Sequence, residues 1–346
     1  MIIINDLHLG VFRSAGATPS SALGLRKWQL EQFSSMLGDT ADDLIILGDL
    51  FDTYQIPMTD LLETYKLLVS WLTNDTGTYH NLHLIPGNHD LSTDSTKLSS
   101  FQFLSKLLME LPLRHNKVTY LSGGGWVDEA KSIYAISHVL NQDLLNYELT
   151  KVPTCKFLLV HANYDNHFAK DSDHSLNISA EQVTAAPCDT IIFAHEHAHR
   201  VAQAGKVFIA GNQFPASVSD CLDGKDKYMT VICSEGLGDE PFQIKTWDKS
   251  NYAEVDWREP IQSDAQFIRI VGHCKPEEAA DMANVVARYR KDSDAFVVSN
   301  AVRVGDDTAA EEMNLASLEA VRAFDVLGAL KQHLTPAEVA ILEKLT

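Results

Sequence analysis

Cysteine is sparse and irregularly placed. The five residues Cys155, Cys188, Cys221, Cys233 and Cys274 are odd in number and never spaced C-x-x-C. That argues against a disulfide framework or a zinc ribbon and fits a reducing cytoplasm. No stretch reaches 18 uninterrupted apolar residues, and the first residues enter an apolar strand with no basic leader or small-residue cleavage site. Neither a membrane span nor an export signal is therefore expected. Basic residues are in deficit, with 28 Lys and Arg against 47 Asp and Glu and a formal net charge of −19. Proteins that coat nucleic acid by counterion release carry the opposite sign, so unaided DNA binding should be weak. Internal repeats and low-complexity tracts are not apparent.

What is present is a core and a pattern within it. At 346 residues and 45% hydrophobic, the chain exceeds a typical single core, and one large catalytic domain with one or two small appendages is expected. Short apolar runs at 2–4, 44–47, 82–85, 157–160 and 191–193 read as buried strands. Each stops at residues that can hold a metal: Asp6-Leu7-His8, Gly48-Asp49, Gly87-Asn88-His89-Asp90, His161 and His195-Glu196-His197. In open α/β sheets ligands gather beyond the carboxyl ends of strands, so these stops can converge on one crevice. Asp6 and His8, like His195 and His197, are two apart, a spacing that in extended backbone sends both side chains to one face. Gly48 and Gly87 allow tight turns beside the ligands.

Seven candidates emerge, Asp6, His8, Asp49, Asn88, His161, His195 and His197, all with nitrogen or oxygen donors. Such a set suits manganese, iron or zinc. Two ions about 3.5–4 Å apart need a bridging carboxylate, and Asp49 is the central choice. Together they polarise phosphoryl oxygens, activate water and steady a leaving oxygen, which is the chemistry of phosphate-ester hydrolysis. His89, one residue past Asn88, is a candidate general acid, with Asp52 or Asp90 to orient it. His167 and His199 are candidates for supporting positions. His80, His83, His115, His138, His174, His273 and His333 receive no functional reading.

Helical periodicity fills the intervals, as at Leu30, Phe33 and Leu37, at Leu61, Tyr65, Leu68, Trp71 and Leu72, and at Phe101, Leu104, Leu107 and Leu108. Strand alternating with helix predicts an α/β core. Polar residues from 256 to 264, with Pro260, mark a linker. Beyond it an apolar run 267–271, a helix opened by Pro276 and a run 295–304 make a small strand, helix, strand unit. Arg288, Arg290 and Lys291 end its helix, where they complement the helix dipole. After Gly305 come two apolar-faced helices, the second opened by a capping box at Thr335-Pro336-Ala337-Glu338. They either fold back on their own domain or dock on another protein.

The series D-x-H, G-D-x-x-D (Gly48 to Asp52), G-N-H-D, a lone His and H-x-H resembles the signature of calcineurin-like metallophosphoesterases over residues 1 to about 250. Asp6-Leu7-His8-Leu9-Gly10, the turn Gly211-Asn212-Gln213-Phe214-Pro215 and the small unit resemble the SbcD-type nuclease subunits of double-strand-break repair and their bacteriophage recombination-endonuclease relatives. That resemblance implies a four-layer αββα sandwich at 1–255, a small α+β capping, DNA-binding domain at 256–305 and a helical tail at 306–346. It also implies two Mn2+ ions. One would be held by Asp6, His8, Asp49 and His197, and the other by Asp49, Asn88, His161 and His195, with His89 catalytic. Exonuclease and endonuclease action on DNA, in a bacterial cell or phage-infected host, would follow. So would homodimerisation through early helices, for which the 61–72 and 101–108 stripes are candidates, and capture of an SbcC-like SMC-family ATPase by the tail. Ala194 departs from the glycine that usually precedes H-x-H. A small-molecule phosphodiesterase or phosphatase, and a non-catalytic partner-binding scaffold, are the alternatives.

Overall fold

Runs that are apolar at every position must be covered on both faces, and that requirement sets the architecture. The computed structural model describes residues 1–11, 19–38, 42–74, 80–94, 96–166, 175–222, 226–233, 240–259 and 263–305. The expected tail at 306–346, with Pro260, His167, His174 and His333, lies outside the described residues. In chain order come β1 (Ile2–Ile4), α1 (Pro19–Gly38), β2 (Leu44–Leu47), α2 (Met58–Thr73), β3 (Leu82–Ile85), α3 (Ser100–Met109) and β4 (Val118–Tyr120). Next are β5 (Gly124–Asp128), β6 (Ile133–Ile136), α4 (Gln142–Leu149), β7 (Cys155–His161), the short β8 (Asn163–Tyr164) and β9 (Asn177–Ile178), and α5 (Ala180–Ala185). The larger unit finishes with β10 (Cys188–Ala194), β11 (Arg200–Ala202), β12 (Val207–Ile209), β13 (Lys227–Val231) and β14 (Phe242–Trp247).

Two six-stranded sheets result, ordered β14-β13-β1-β2-β3-β4 and β11-β12-β10-β7-β6-β5. β1 to β4 run parallel, as do β12, β10, β7 and β6, with antiparallel strands only toward the edges. Parallel strands carry their C-terminal ends to the same side, which is why the five stops share a rim. Alternate residues divide the core. Ile3, Ile45, Leu47 and Ile85 meet Ile133, Phe157, Leu159 and Ile192 between the sheets. Ile2, Ile4, Ile46 and Leu84 face outward beneath α1 to α3. On the far side Leu158, Val160, Ile191 and Phe193 lie beneath Leu145 of α4 and Val183 of α5. Helix, sheet, sheet and helix form the expected four layers. Each such Ile, Leu or Phe contributes roughly 1.5–3 kcal/mol by burial.

The helical stripes chosen as dimer candidates turn inward. Leu61, Leu68, Trp71, Leu72, Phe101, Leu104 and Leu108 are all buried in the core beneath the first sheet. Sheets buried on both faces need that cover, and the helices spend their apolar stripes on it. Exposed apolar residues on the same helices are Met58, Leu62, Phe103 and Met109. Among the described residues, no helix is long and apolar enough to cross a membrane.

The small unit comprises β15 (Tyr252–Asp256), β16 (Phe267–Val271), β17 (His273–Cys274), α6 (Ala279–Asp292), β18 (Val297–Asn300) and β19 (Arg303–Val304). β15, β16 and β18 form a parallel sheet. Its first strand begins at Tyr252, inside the segment that the polar stretch had assigned to the larger domain. The reason is packing: Val255 and Trp257 are buried with Ile268, Ile270, Val298, Met282 and Val286 in the small unit's own core. The opposite face of β16 and β18 presents Phe267 and Val297 to the large core. There the indole of Trp28 lies between 5.4 and 5.8 Å from the rings of Phe296, Phe214 and Phe267.

Candidate metal centre

At the C-terminal ends of β1 and β2 the two loops are fastened main chain to main chain, Asp6 N–H to Gly48 O at 3.0 Å and His8 N–H to Asp49 O at 3.0 Å. β1 stops at Ile4, and Asp6 (φ 51°), His8 (φ 47°) and Asp49 (φ 50°) lie in the left-handed region. Asp6 and His8 thus reach the crevice from left-handed backbone and not from the extended strand that their spacing suggested. Non-glycine residues held there cost on the order of 1–3 kcal/mol each, and such strain gathers at functional sites. In the H-x-H segment the positive φ falls on His195 (86°). Ala194 keeps ordinary strand backbone, so its replacement of glycine is tolerated.

The third loop closes over Asp49. His89 N–H donates to Asp49 Oδ1 at 2.9 Å, and the buried Asp90 carboxylate accepts the N–H groups of Gly87 (3.0 Å), Phe51 (3.1 Å) and Leu50 (3.3 Å). Asp90 therefore shapes the loops. Burial, reinforced by the Asp49 carboxylate, pushes it up to about 7. A Cβ at Gly87 would overlap the Asp49 carboxylate, so no larger residue fits.

From the second sheet, His161 at the end of β7 donates Nδ1–H to Leu47 O at 3.2 Å. A carbonyl only accepts, so in the neutral, ligating ring the lone pair is left at Nε2, which lies 2.9 Å from Asn88 Oδ1 and 3.3 Å from Asp49 Oδ2. His195 Nδ1 is 3.1 Å from the same Asn88 oxygen, and its N–H binds Asp6 Oδ2 at 2.9 Å. Asn5 Nδ2 also donates to Asp6 Oδ2. Glu196, between the two histidines, instead accepts from Tyr164 N–H and pairs with Arg200. His197 Nε2 lies 3.2 Å from His8 Nε2, and its Nδ1 lies 2.5 Å from Asp220 Oδ1.

The expected ligands thus come together, in groups whose donor atoms all lie within 4.8 Å: Asp6, His8 and His197; His8, Asp49 and His89; Asp49, His161 and His195. Asn88 reaches the third through His161 and His195. His89 Nδ1 donates to the main-chain carbonyl of Asp52 at 2.6 Å, while the Asp52 carboxylate sits 3.7 Å from His8 Nδ1. The main chain at Asp52, rather than the carboxylate the sequence pointed to, orients the imidazole. His199 braces β12 through Ile209 O.

A divalent cation fits these atoms. Asp6 Oδ1 is buried without a hydrogen-bond partner, 3.9 Å from His161 Nε2 and 4.0 Å from His197 Nε2. The Nε2 atoms of His8 and His197 converge to 3.2 Å beside it. At His161 and His197 the neighbouring carboxylates favour positive charge. Burial opposes it, yet Asp49 and Asp6 lift His161 to about 9, and Asp220 with Asp6 lifts His197 to about 9. Burial works to raise Asp49, but His161, His8 and His89 hold it well below the usual carboxylate range.

Two residues escaped sequence reasoning. β6 is parallel to β7 and ends just before Ser137 and His138, a sixth strand stop that the short apolar run at 134–137 could have flagged. His138 N–H binds Pro86 O at 3.0 Å beneath the Asn88 loop. Burial, with the nearby charge of His161, drops it to about 4. Asp220 stands in a 3-10 turn, Val218–Cys221, 23 residues from His197, and its only local signal, the capping box Ser217-Val218-Ser219-Asp220, says nothing of the histidine.

No curated protein matches the chain. Among solved structures, TT1561 of Thermus thermophilus aligns over 71% of this chain and 97% of its own at 11% identity, with a TM-score of 0.39. Residues 1–199 match the family described as calcineurin-like phosphoesterase, more than half of the polypeptide, and the chain belongs to that family.

Proposed function

We propose that the protein is a two-metal DNA nuclease that works with an SbcC-like ATPase. Membership of the family makes it a metal-dependent phosphoester hydrolase. The observation that carries the two-metal reading is Asp49, which clusters with His8 and His89 on one side and with His161 and His195 on the other. In this reading Asp6, His8, Asp49 and His197 hold one divalent ion, and Asp49, Asn88, His161 and His195 the other, most suitably Mn2+. When bound, such a pair polarises the phosphoryl group, activates water and steadies the leaving oxygen.

The chain's own residues supply the remaining steps. His89 is fixed through Nδ1–H to the carbonyl of Asp52, so in the protonated ring Nε2–H is the bond that gives its proton to the leaving oxygen, leaving the neutral Nδ1–H imidazole. Asp49 Oδ1 accepts the His89 main-chain N–H, which ties the acid to the bridging carboxylate. Support for DNA as substrate comes from the small domain seated on α1 through Trp28, an appendage that a small-molecule phosphatase does not need. The net charge of −19 makes partner-assisted DNA binding part of the same reading. The same reading assigns the homodimer contact to exposed Met58, Leu62 and Phe103 and the ATPase to residues 306–346.

The test is one assay series with Mn2+ and four substrates: linear duplex, single-stranded DNA, a diester chromogen and a monoester chromogen. Cleavage of DNA and the diester is expected. Preference for the monoester contradicts the nuclease reading, and inactivity on all four, with and without the ATPase, leaves a binding scaffold.

A further inference from the structure

His197 is held on three sides. Its main-chain carbonyl accepts from Asn212 N–H and Lys227 Nζ, both at 3.2 Å. Its Nε2 faces His8, and its Nδ1 meets Asp220 Oδ1. The second oxygen of Asp220 is equally committed, accepting the N–H groups of Ala216 at 2.8 Å and Ser217 at 3.1 Å. The turn that carries Asp220, Val218–Cys221, is anchored by Val218 and Cys221 in the same apolar core as Phe267 and Val297 of the small domain. The carboxylate can therefore neither rotate away nor exchange its partner without disturbing that packing.

A carboxylate only accepts, so Nδ1 of His197 carries the hydrogen, and in the neutral ring that a metal requires Nε2 presents its lone pair toward His8 and Asp6. We propose that Asp220 is a positioning residue for the metal centre, locking His197 in the Nδ1–H tautomer that lets Nε2 ligate a divalent cation. The proposal rests on the metal-centre reading above. Carboxylates behind a ligating imidazole typically change metal affinity by roughly 10–100-fold when removed, and Asp220 is built to act at that scale. In the Asp220→Asn variant, the side-chain oxygen still accepts from Ala216 and Ser217. Its amide then turns a donor toward Nδ1, which drives the proton to Nε2, the ligating atom.

The experiment is calorimetric titration of Mn2+ into wild type, Asp220→Asn, Asp220→Ala and Asp220→Glu, with 15N spectra of histidine-labelled, zinc-loaded protein. Wild type is expected to bind two ions, with His197 protonated at Nδ1 and metal-shifted at Nε2. Asn and Ala variants should lose roughly 10–100-fold in affinity for one ion, with Glu recovering part of it. Wild-type binding of two ions alongside unchanged affinity in Asp220→Asn overturns this proposal alone. So does a wild-type His197 carrying its hydrogen at Nε2, a result available even if every variant fails to fold. Wild type that takes up no divalent ion sinks the metal-centre reading and this proposal with it.

Discussion

The imidazole of His161 occupies the volume that a side chain on Gly48 would need. Gly48 sits at φ 82°, and a Cβ built there would overlap the His161 ring. The ring is pinned by its bond to Leu47 O, one residue earlier in the chain. Glycine here serves both a backbone conformation and a close approach.

Gly48→Ala should therefore displace His161 as well as strain the turn. The left-handed conformation alone costs roughly 1–3 kcal/mol for a residue with a side chain. Thermal melting with and without Mn2+ is the check, and the expected result is a lower midpoint together with loss of most of the metal-dependent increase. A variant that melts and responds to metal as wild type would show that the overlap relaxes.

His89→Asn tests the proposed proton donor. The side chain clusters with His8 and Asp49 but is assigned to neither ion in the proposed reading, and its N–H to Asp49 comes from the main chain, which the substitution keeps. Turnover should fall by roughly 10²–10⁴ while bound metal stays constant, the usual range for losing a general acid. Full turnover at unchanged metal content would remove His89 from the mechanism.

His83 provides a pH dependence away from the ligands. It is buried on β3, with Nδ1 2.9 Å from Thr119 Oγ1, and burial lowers its pKa below the ordinary 6.5, outweighing the pull of Asp43 and Asp128. Between the lowered value and about 6.5, the unfolded chain holds a proton that the folded one lacks, so stability rises with pH there. This contribution is complete above about 6.5, erodes on acidification and levels off below the folded value. Urea midpoints in chelator at pH 7.5 and 5.5 should fall less for His83→Gln than for wild type. Equal losses would assign the acid limb to other groups.

Much of the site was readable in sequence because parallel strands put their C-terminal ends on one rim, so five interrupted apolar runs specify five neighbours. Asp6, Asp49, Asn88, His161, His195 and His197 meet for that reason, whatever the details of their turns. The conformation of those turns was not readable: the i, i+2 spacing of Asp6 and His8 is compatible with extended and left-handed backbone alike, and only tertiary bonds to the Gly48 loop choose. Asp220 was hidden because its capping box with Ser217 reads as a helix start, and its relation to His197 depends on how that 3-10 turn packs in the core it shares with Phe267 and Val297. The stripe from Leu61 to Leu72 carried no information on whether its cover was a second copy or this chain's own sheet.

The account turns on Asp49 being shared. Electron paramagnetic resonance of Mn2+-loaded protein measures this directly, because two ions bridged by one carboxylate couple magnetically. Wild type is expected to show two ions per chain and a coupled spectrum, and Asp49→Asn to lose the coupling and at least one ion. A single uncoupled ion in active wild type, undisturbed by Asp49→Asn, would contradict it.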